Sequence, residues 1–133
     1  MTTVDDDCVA KFQDLKVKGL YKYIIFGLNS TNSSIIVHKT SSDEDYDTFL
    51  ADLPETECRW AVYDFHYTTD SGDKKKLLFY YWSPEAARVR EKMLYSSARD
   101  TLRKALVGIS AEIQGTEPAE VSYETALEKA KKR

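Results

Sequence analysis

Four stretches of this chain are dense in β-branched and aromatic residues, and between them apolar positions recur every third or fourth residue. Leu20 to Leu28 (LYKYIIFGL) and Ser34 to Thr40 (SIIVHKT) flank the polar run Asn29 to Ser33, which predicts a hairpin of two strands. Cys58 to Thr68 (CRWAVYDFHYT) and Lys74 to Trp82 (KKKLLFYYW) predict a second hairpin across the turn Thr69 to Asp73. Leu77 to Tyr81 are apolar on both faces of that last strand, which marks a central strand covered by helices on both sides.

The intervening segments read as helices. Asp5 to Val17 carries Val9, Phe12 and Leu15 at helical spacing behind an acidic first turn. Ser41-Ser42-Asp43 opens a short helix through Tyr46, Phe49, Leu50 and Leu53, stopped before Pro54. The longest helix is expected to start with Ser83 as N-cap and Pro84 in the first turn, and to run about six turns to Leu106. Gly108 then follows as a left-handed C-terminal signal. Ile109 to Gln114 reads as one more short strand, and Pro118 to Lys132 as a last helix burying Val121, Tyr123 or Ala126, and Leu127. The order αββαββαβα predicts an α/β or α+β fold, a central mixed sheet with helices on both faces, in a single domain over residues 1–133.

On the long helix Ala87, Leu94, Ala98, Leu102 and Ala105 share one narrow arc, the expected core face. Arg88, Lys92, Arg99 and Arg103 share a second arc, and Arg90 and Lys104 project with Met93 and Ser97 in a third direction. Both of these faces are expected to be basic and exposed, diluted only by Glu91 and Asp100. Two residues at 100° each set Arg90 and Lys92 on nearly opposite sides. Ser96 and Ser97, which can bond backbone carbonyls, are expected to bend the helix near Tyr95.

Composition sharpens this reading. A chain of 133 residues with 42% hydrophobic content suits one core, and two domains would leave each half marginal. The formal charge of −3 conceals a split: residues 1–73 carry 6 Lys/Arg against 14 Asp/Glu, and residues 74–133 carry 13 against 8. The basic half suggests an acidic macromolecular partner, while the pI near 5.4 argues against a dedicated nucleic-acid binder. Cys8 and Cys58 fit no metal or redox spacing, which points to a reduced, cytosolic chain. The acidic opening Met1 to Asp7 is unlike a signal or transit peptide, and no apolar run suits a membrane span.

No catalytic constellation emerges. His38 and His66 lie in different strands without Cys or carboxylate at metal-ligand spacing, and no phosphate-binding glycine loop or nucleophile elbow occurs. Asp43, Glu44, Asp45 and Asp47 lack the central Gly and terminal Glu of a calcium loop. Neither an enzyme nor a cofactor is indicated. What remains is a surface: the basic helix, the Lys74-Lys75-Lys76 run, and the mixed-charge C-terminal helix.

Three stretches, DLPETECRWAVYDFHY, KKKLLFYYWSPEAARVREKMLYSSARDTLRKALVGI and EIQGTEPAEVSYETALEKA, resemble the ADF/cofilin family of actin-depolymerising proteins over nearly the whole chain. The specific part is Trp82-Ser83-Pro84 followed by a basic residue, Lys92-Met93, Tyr95, a Ser pair and Asp100-x-Leu102-basic-basic. The resemblance implies an ADF-homology domain without catalytic residues or cofactor. It implies a monomer that binds monomeric and filamentous actin, preferring the ADP state, and severs filaments, with inhibition by phosphoinositides. A cytoplasmic and cytoskeletal location follows, with the nucleus left open.

Carried over residue by residue, the surface shared by monomer and filament binding would comprise Thr2, Thr3, Val4, Arg90, Lys92, Met93, Arg103 and Lys104. A filament-specific surface would comprise Lys74, Lys76, Glu128, Lys129 and Lys132. Two departures stand out. Glu91 replaces the family's usual small polar residue and places a negative charge at the expected contact. No serine precedes Ser30, so inhibitory phosphorylation would fall to Thr2 or Thr3. The competing reading is a lipid-surface module, or a non-severing ADF-homology module, whose basic helix meets anionic phosphoinositides.

Overall fold

The computed structural model describes residues 2–132. The chain begins with the two-residue strand β1 (Thr3–Val4), which pairs parallel with Ser34 and Ile35. Helix α1 (Asp6–Lys16) follows, with Asp5 as N-cap accepting from the Asp7 amide. Its core face is Cys8, Phe12 and Leu15; Val9, expected inside, is exposed. Cys8 takes the inward position expected of Val9, because cysteine packs as a small hydrophobe.

Strands β2 (Tyr23–Leu28) and β3 (Ser34–Ser41) form the first hairpin. Ile25 faces Lys39 and Phe26 faces Val37, so His38 is the extra residue of a β-bulge. Helix α2 (Tyr46–Ala51) is shorter than the sequence suggests. Ser41 is still in the sheet, and Asp45 caps the helix by accepting from the Asp47 amide. Strands β4 (Arg59–Thr69) and β5 (Gly72–Trp82) make the second hairpin, turned tightly at Asp70-Ser71 with Gly72 at φ 113°.

The largest difference from expectation is helix α3, which spans Val89–Ala105 and not Ser83 to Leu106. Ser83 directly follows β5 and is held to the end of β6, its N–H donating to Gly115 O, and Pro84 is buried. The Ala87 N–H bonds Pro84 O, closing one turn that does not continue into α3. The helix then starts after Arg88, which makes no side-chain cap bond. Beyond it come β6 (Ala111–Gly115), parallel to β5, a 3-10 turn (Pro118–Val121) and α4 (Tyr123–Lys131), capped by Ser122. The last expected helix is therefore two pieces.

The six strands lie in the order β1-β3-β2-β4-β5-β6. Both parallel pairings are at the edges. One face of the sheet packs Ile24, Phe26, Trp60, Val62, Leu77 and Phe79 against α1 and α3. The other packs Tyr23, Tyr63, Phe65, Leu78, Tyr80 and Trp82 against α2 and α4. Alternating residues of β5 thus feed two separate cores, as its doubly apolar pattern predicts.

Candidate functional site

Helix α3 buries Tyr95, Ala98 and Leu102 in the core, with Leu94 and Ala105 only half-buried. Tyr95, expected merely beside a bend, is one of its anchors. Its ring packs on Trp60 with centroids 4.4 Å apart, and its hydroxyl accepts from the Leu28 N–H at 2.9 Å. Ser97 Oγ does donate to Leu94 O at 3.2 Å.

Of the two basic faces expected to be exposed, one is engaged inside the molecule. Arg99 and Arg103 both reach Glu112 on β6, at 3.2 and 3.0 Å. Lys92 is half-buried, and its Nζ donates to Glu85 O at 2.9 Å. Arg88 lies outside the helix. This arc therefore ties α3 to the sheet edge and to the preceding loop.

The other face is free. Arg90, Met93, Ser97 and Lys104 follow one another at three, four and seven residues, so they line one stripe, and all four are exposed. Val89 is 73% exposed and Met93 67%. With Arg90, Leu94 and Ser97 they border an open, mainly apolar groove. Val89 was not singled out in the sequence; an apolar residue four before Met93 and outside the core arc is the signal that could have found it. Strand β1 lies against α3, so Thr3 and Val4 join the same region, with Thr2 directly before them in the chain. Val4 packs on the core beneath, and Thr3 Oγ1 bonds Ser34 Oγ at 2.9 Å.

Glu91 does not face outward beside Arg90. Its Oε2 accepts from the Cys58 N–H at 2.5 Å, at the foot of β4.

A second basic concavity lies at the β4–β5 hairpin. Tyr67, Thr68, Thr69, Asp70 and Ser71 line it with Lys74, Lys76, Lys131 and Lys132, around about 710 Å³. The structure thus brings Lys74, Lys76 and Lys132 together and adds Lys131. Lys129 borders a different cleft, with Arg99, Glu112, Gln114 and Glu120. Glu128 is exposed on α4. Among the described residues no group of three or more His, Cys, Asp or Glu could hold a metal ion, and no helix is long and apolar enough to cross a membrane.

Residues 1–131 match the sequence profile of the cofilin/ADF family, described as cofilin/tropomyosin-type actin-binding proteins. The chain belongs to the cofilin/ADF family. It is 53% identical over 127 residues to a cofilin of Mycosarcoma maydis, covering 95% of this chain and 91% of that one. It is 46% identical over 130 residues to a cofilin of Schizosaccharomyces pombe, covering 98% and 95%. The crystal structure of a Streptomyces griseoflavus cofilin superposes with TM-score 0.94 at 51% identity, covering 98% of both chains. Actin depolymerization factor 2 of Plasmodium berghei does so with TM-score 0.85 at 29% identity, covering 99% of this chain and 98% of that one. The mixed sheet between two helical layers is a cofilin's ADF-homology domain, and the residues above belong to an actin-binding protein.

Proposed function

We propose that this member of the cofilin/ADF family, acting through one ADF-homology domain over residues 1–133, binds monomeric and filamentous actin and depolymerises and severs filaments. The observation that carries the reading is the free stripe of α3. Two large apolar side chains, Val89 and Met93, stand exposed beside Arg90, with Lys104 further along the same stripe, while every other large apolar group of the helix is at least half-buried. An apolar centre with cations at its border suits a groove on an acidic protein partner. Arg90, Met93 and Lys104, with Thr2, Thr3 and Val4, form the surface shared by monomer and filament. Lys92 and Arg103 contribute mainly by holding α3, each already having an internal partner.

Lys74, Lys76 and Lys132, joined by Lys131, form the filament-specific surface, with Glu128 and Lys129 at its border. Severing requires no catalytic group. A protein that binds one filament geometry more tightly than another shifts the filament toward it, and preference for ADP-actin arises in the same way. Anionic phosphoinositides compete at these cations.

Pelleting with filaments, together with a monomer-binding assay, tests the reading. Arg90→Ala combined with Met93→Ala is expected to weaken both by on the order of 2 kcal/mol or more, as for centrally placed interface residues. Wild-type binding by that variant would remove α3 from the interface.

A further inference from the structure

Glu91 sits between Arg90 and Lys92 in the first turn of α3. Judged by charge alone, a carboxylate there opposes an acidic partner. Its geometry gives it another task. Cys58 is fully buried, and it immediately precedes β4, so its N–H lies just outside the strand ladder. A buried amide without a partner is costly, and Glu91 Oε2 supplies the acceptor. The next peptide group is held as well, since the Arg59 guanidinium donates to Cys58 O at 2.7 Å and pairs with Glu57 at 3.1 Å. The segment that Glu91 grips is therefore itself fixed to the sheet.

The helix needs such a grip. Its N-cap, Arg88, makes no side-chain bond to the first turn. The core anchors begin only at Tyr95, more than one turn after Val89. Between them, two consecutive residues reach in different directions. Glu91 reaches to Cys58, whereas Lys92 reaches to Glu85 O at 2.9 Å and receives the Tyr81 hydroxyl on its own carbonyl at 3.3 Å. Side chains that pull the turn from two sides leave it little freedom to roll. Arg90 and Met93 ride on that turn.

We propose that Glu91 is a positioning residue: by accepting from the Cys58 N–H it fixes the roll of the first turn of α3, and so the direction in which Arg90 and Met93 meet actin. The inference rests on the reading of α3 as the actin-binding face. It reverses the sign expected from charge, because loss of the carboxylate weakens binding although it removes a negative charge from the contact region.

Glu91→Ala and Glu91→Gln separate the two roles, since glutamine keeps an acceptor oxygen and drops the charge. Affinity for monomeric actin is measured for the folded proteins, with Arg90→Ala alongside, and exchange of the Cys58 amide is followed by NMR without actin. Glu91→Ala is expected to raise Kd by about 5- to 10-fold, a step of roughly 1 kcal/mol. It should also speed Cys58 exchange. Glu91→Gln should restore slow exchange and bind at least as tightly as the parent. If both substitutions tighten binding, Glu91 acts through its charge and the proposal falls. It falls equally if Glu91→Ala leaves Cys58 exchange slow, or if its affinity is unchanged while Arg90→Ala weakens binding. If Arg90→Ala is itself without effect, the reading of α3 as the binding face has failed, and Cys58 exchange still decides whether Glu91 holds the turn.

Discussion

The hydroxyl of Tyr95 accepts a hydrogen bond from the Leu28 N–H at 2.9 Å, in the place where a neighbouring strand would otherwise stand. The pairing of β2 with β4 ends at Phe26 opposite Trp60, so Leu28 has β3 on one side and no strand on the other. A helix side chain completes the ladder, and the core anchor of α3 is thereby tied to one backbone position of the sheet. Tyr95→Phe keeps the ring on Trp60 and orphans a buried amide. Urea unfolding is expected to show a loss of about 1–3 kcal/mol. A loss below a few tenths would mean that water replaces the hydroxyl.

His38 is the bulged residue of β3, with Nε2 3.3 Å from Leu28 O. Burial holds its pKa below the ordinary histidine value, and the Arg59 guanidinium adds to the effect against a smaller opposing contribution from Leu28 O and Glu57. The unfolded chain therefore takes up this proton first as the pH falls below about 6.5. Stability is expected to decline from that point until the folded-state pKa is reached. Urea midpoints between pH 7.5 and 5 should fall less steeply for His38→Gln than for the parent; equal slopes would refute this.

The two thiols are shielded in different places, Cys8 on α1 and Cys58 just before β4. Burial pushes Cys8 up to about 12, helped by Asp5 and Asp7, and its Sγ–H donates to Ile35 O at 3.3 Å. Burial also raises Cys58, beside Ser83. Since the thiolate is the reactive form, a thiol reagent at pH 8 is expected to titrate neither in the native protein and both in guanidinium. Fast labelling of a native thiol would show that its cover opens locally.

The lysines of the hairpin concavity offer a test by surface. Lys74→Ala with Lys76→Ala, or Lys131→Ala with Lys132→Ala, should impair filament binding and severing and leave monomer affinity near the parent value. Each single change is expected to cost about 0.2–1 kcal/mol and to fade at high salt. Lys129→Ala should cost less than Lys131→Ala, because Lys129 borders the other cleft. Equal losses for monomer and filament would merge the two surfaces into one.

The strands were legible because their signals are local: Leu77 to Tyr81 could only be a doubly covered strand, and it is. The start of α3 was not. Ser83-Pro84 carries every residue type of a helix start, yet Gly115 O claims the Ser83 amide and the chain turns once more before Val89. A tertiary partner more than thirty residues away decided the matter. Arg99 and Arg103 were read as surface for the same reason, since Glu112 lies beyond the helix in sequence and directly beside it in space. Arg90, Met93 and Lys104 were readable as exposed positions because no described residue of the fold claims their side chains.

The placement of both parallel pairings at the sheet edges also orders the assembly of the molecule in time. The hairpins β2–β3 and β4–β5 close over short turns, whereas β6 reaches β5 only after the chain has passed through α3, and β1 reaches β3 only across α1 and β2. Loop-closure entropy penalises the longer detours, so the middle of the sheet is expected to form first and its margins last. Those margins carry the N-terminal strand and the span from α3 to α4. A folding chain therefore has the middle of its sheet before it has the surface proposed for actin, and hydrogen exchange pulsed during refolding should protect the amides of β2 to β5 before those of β1 and β6.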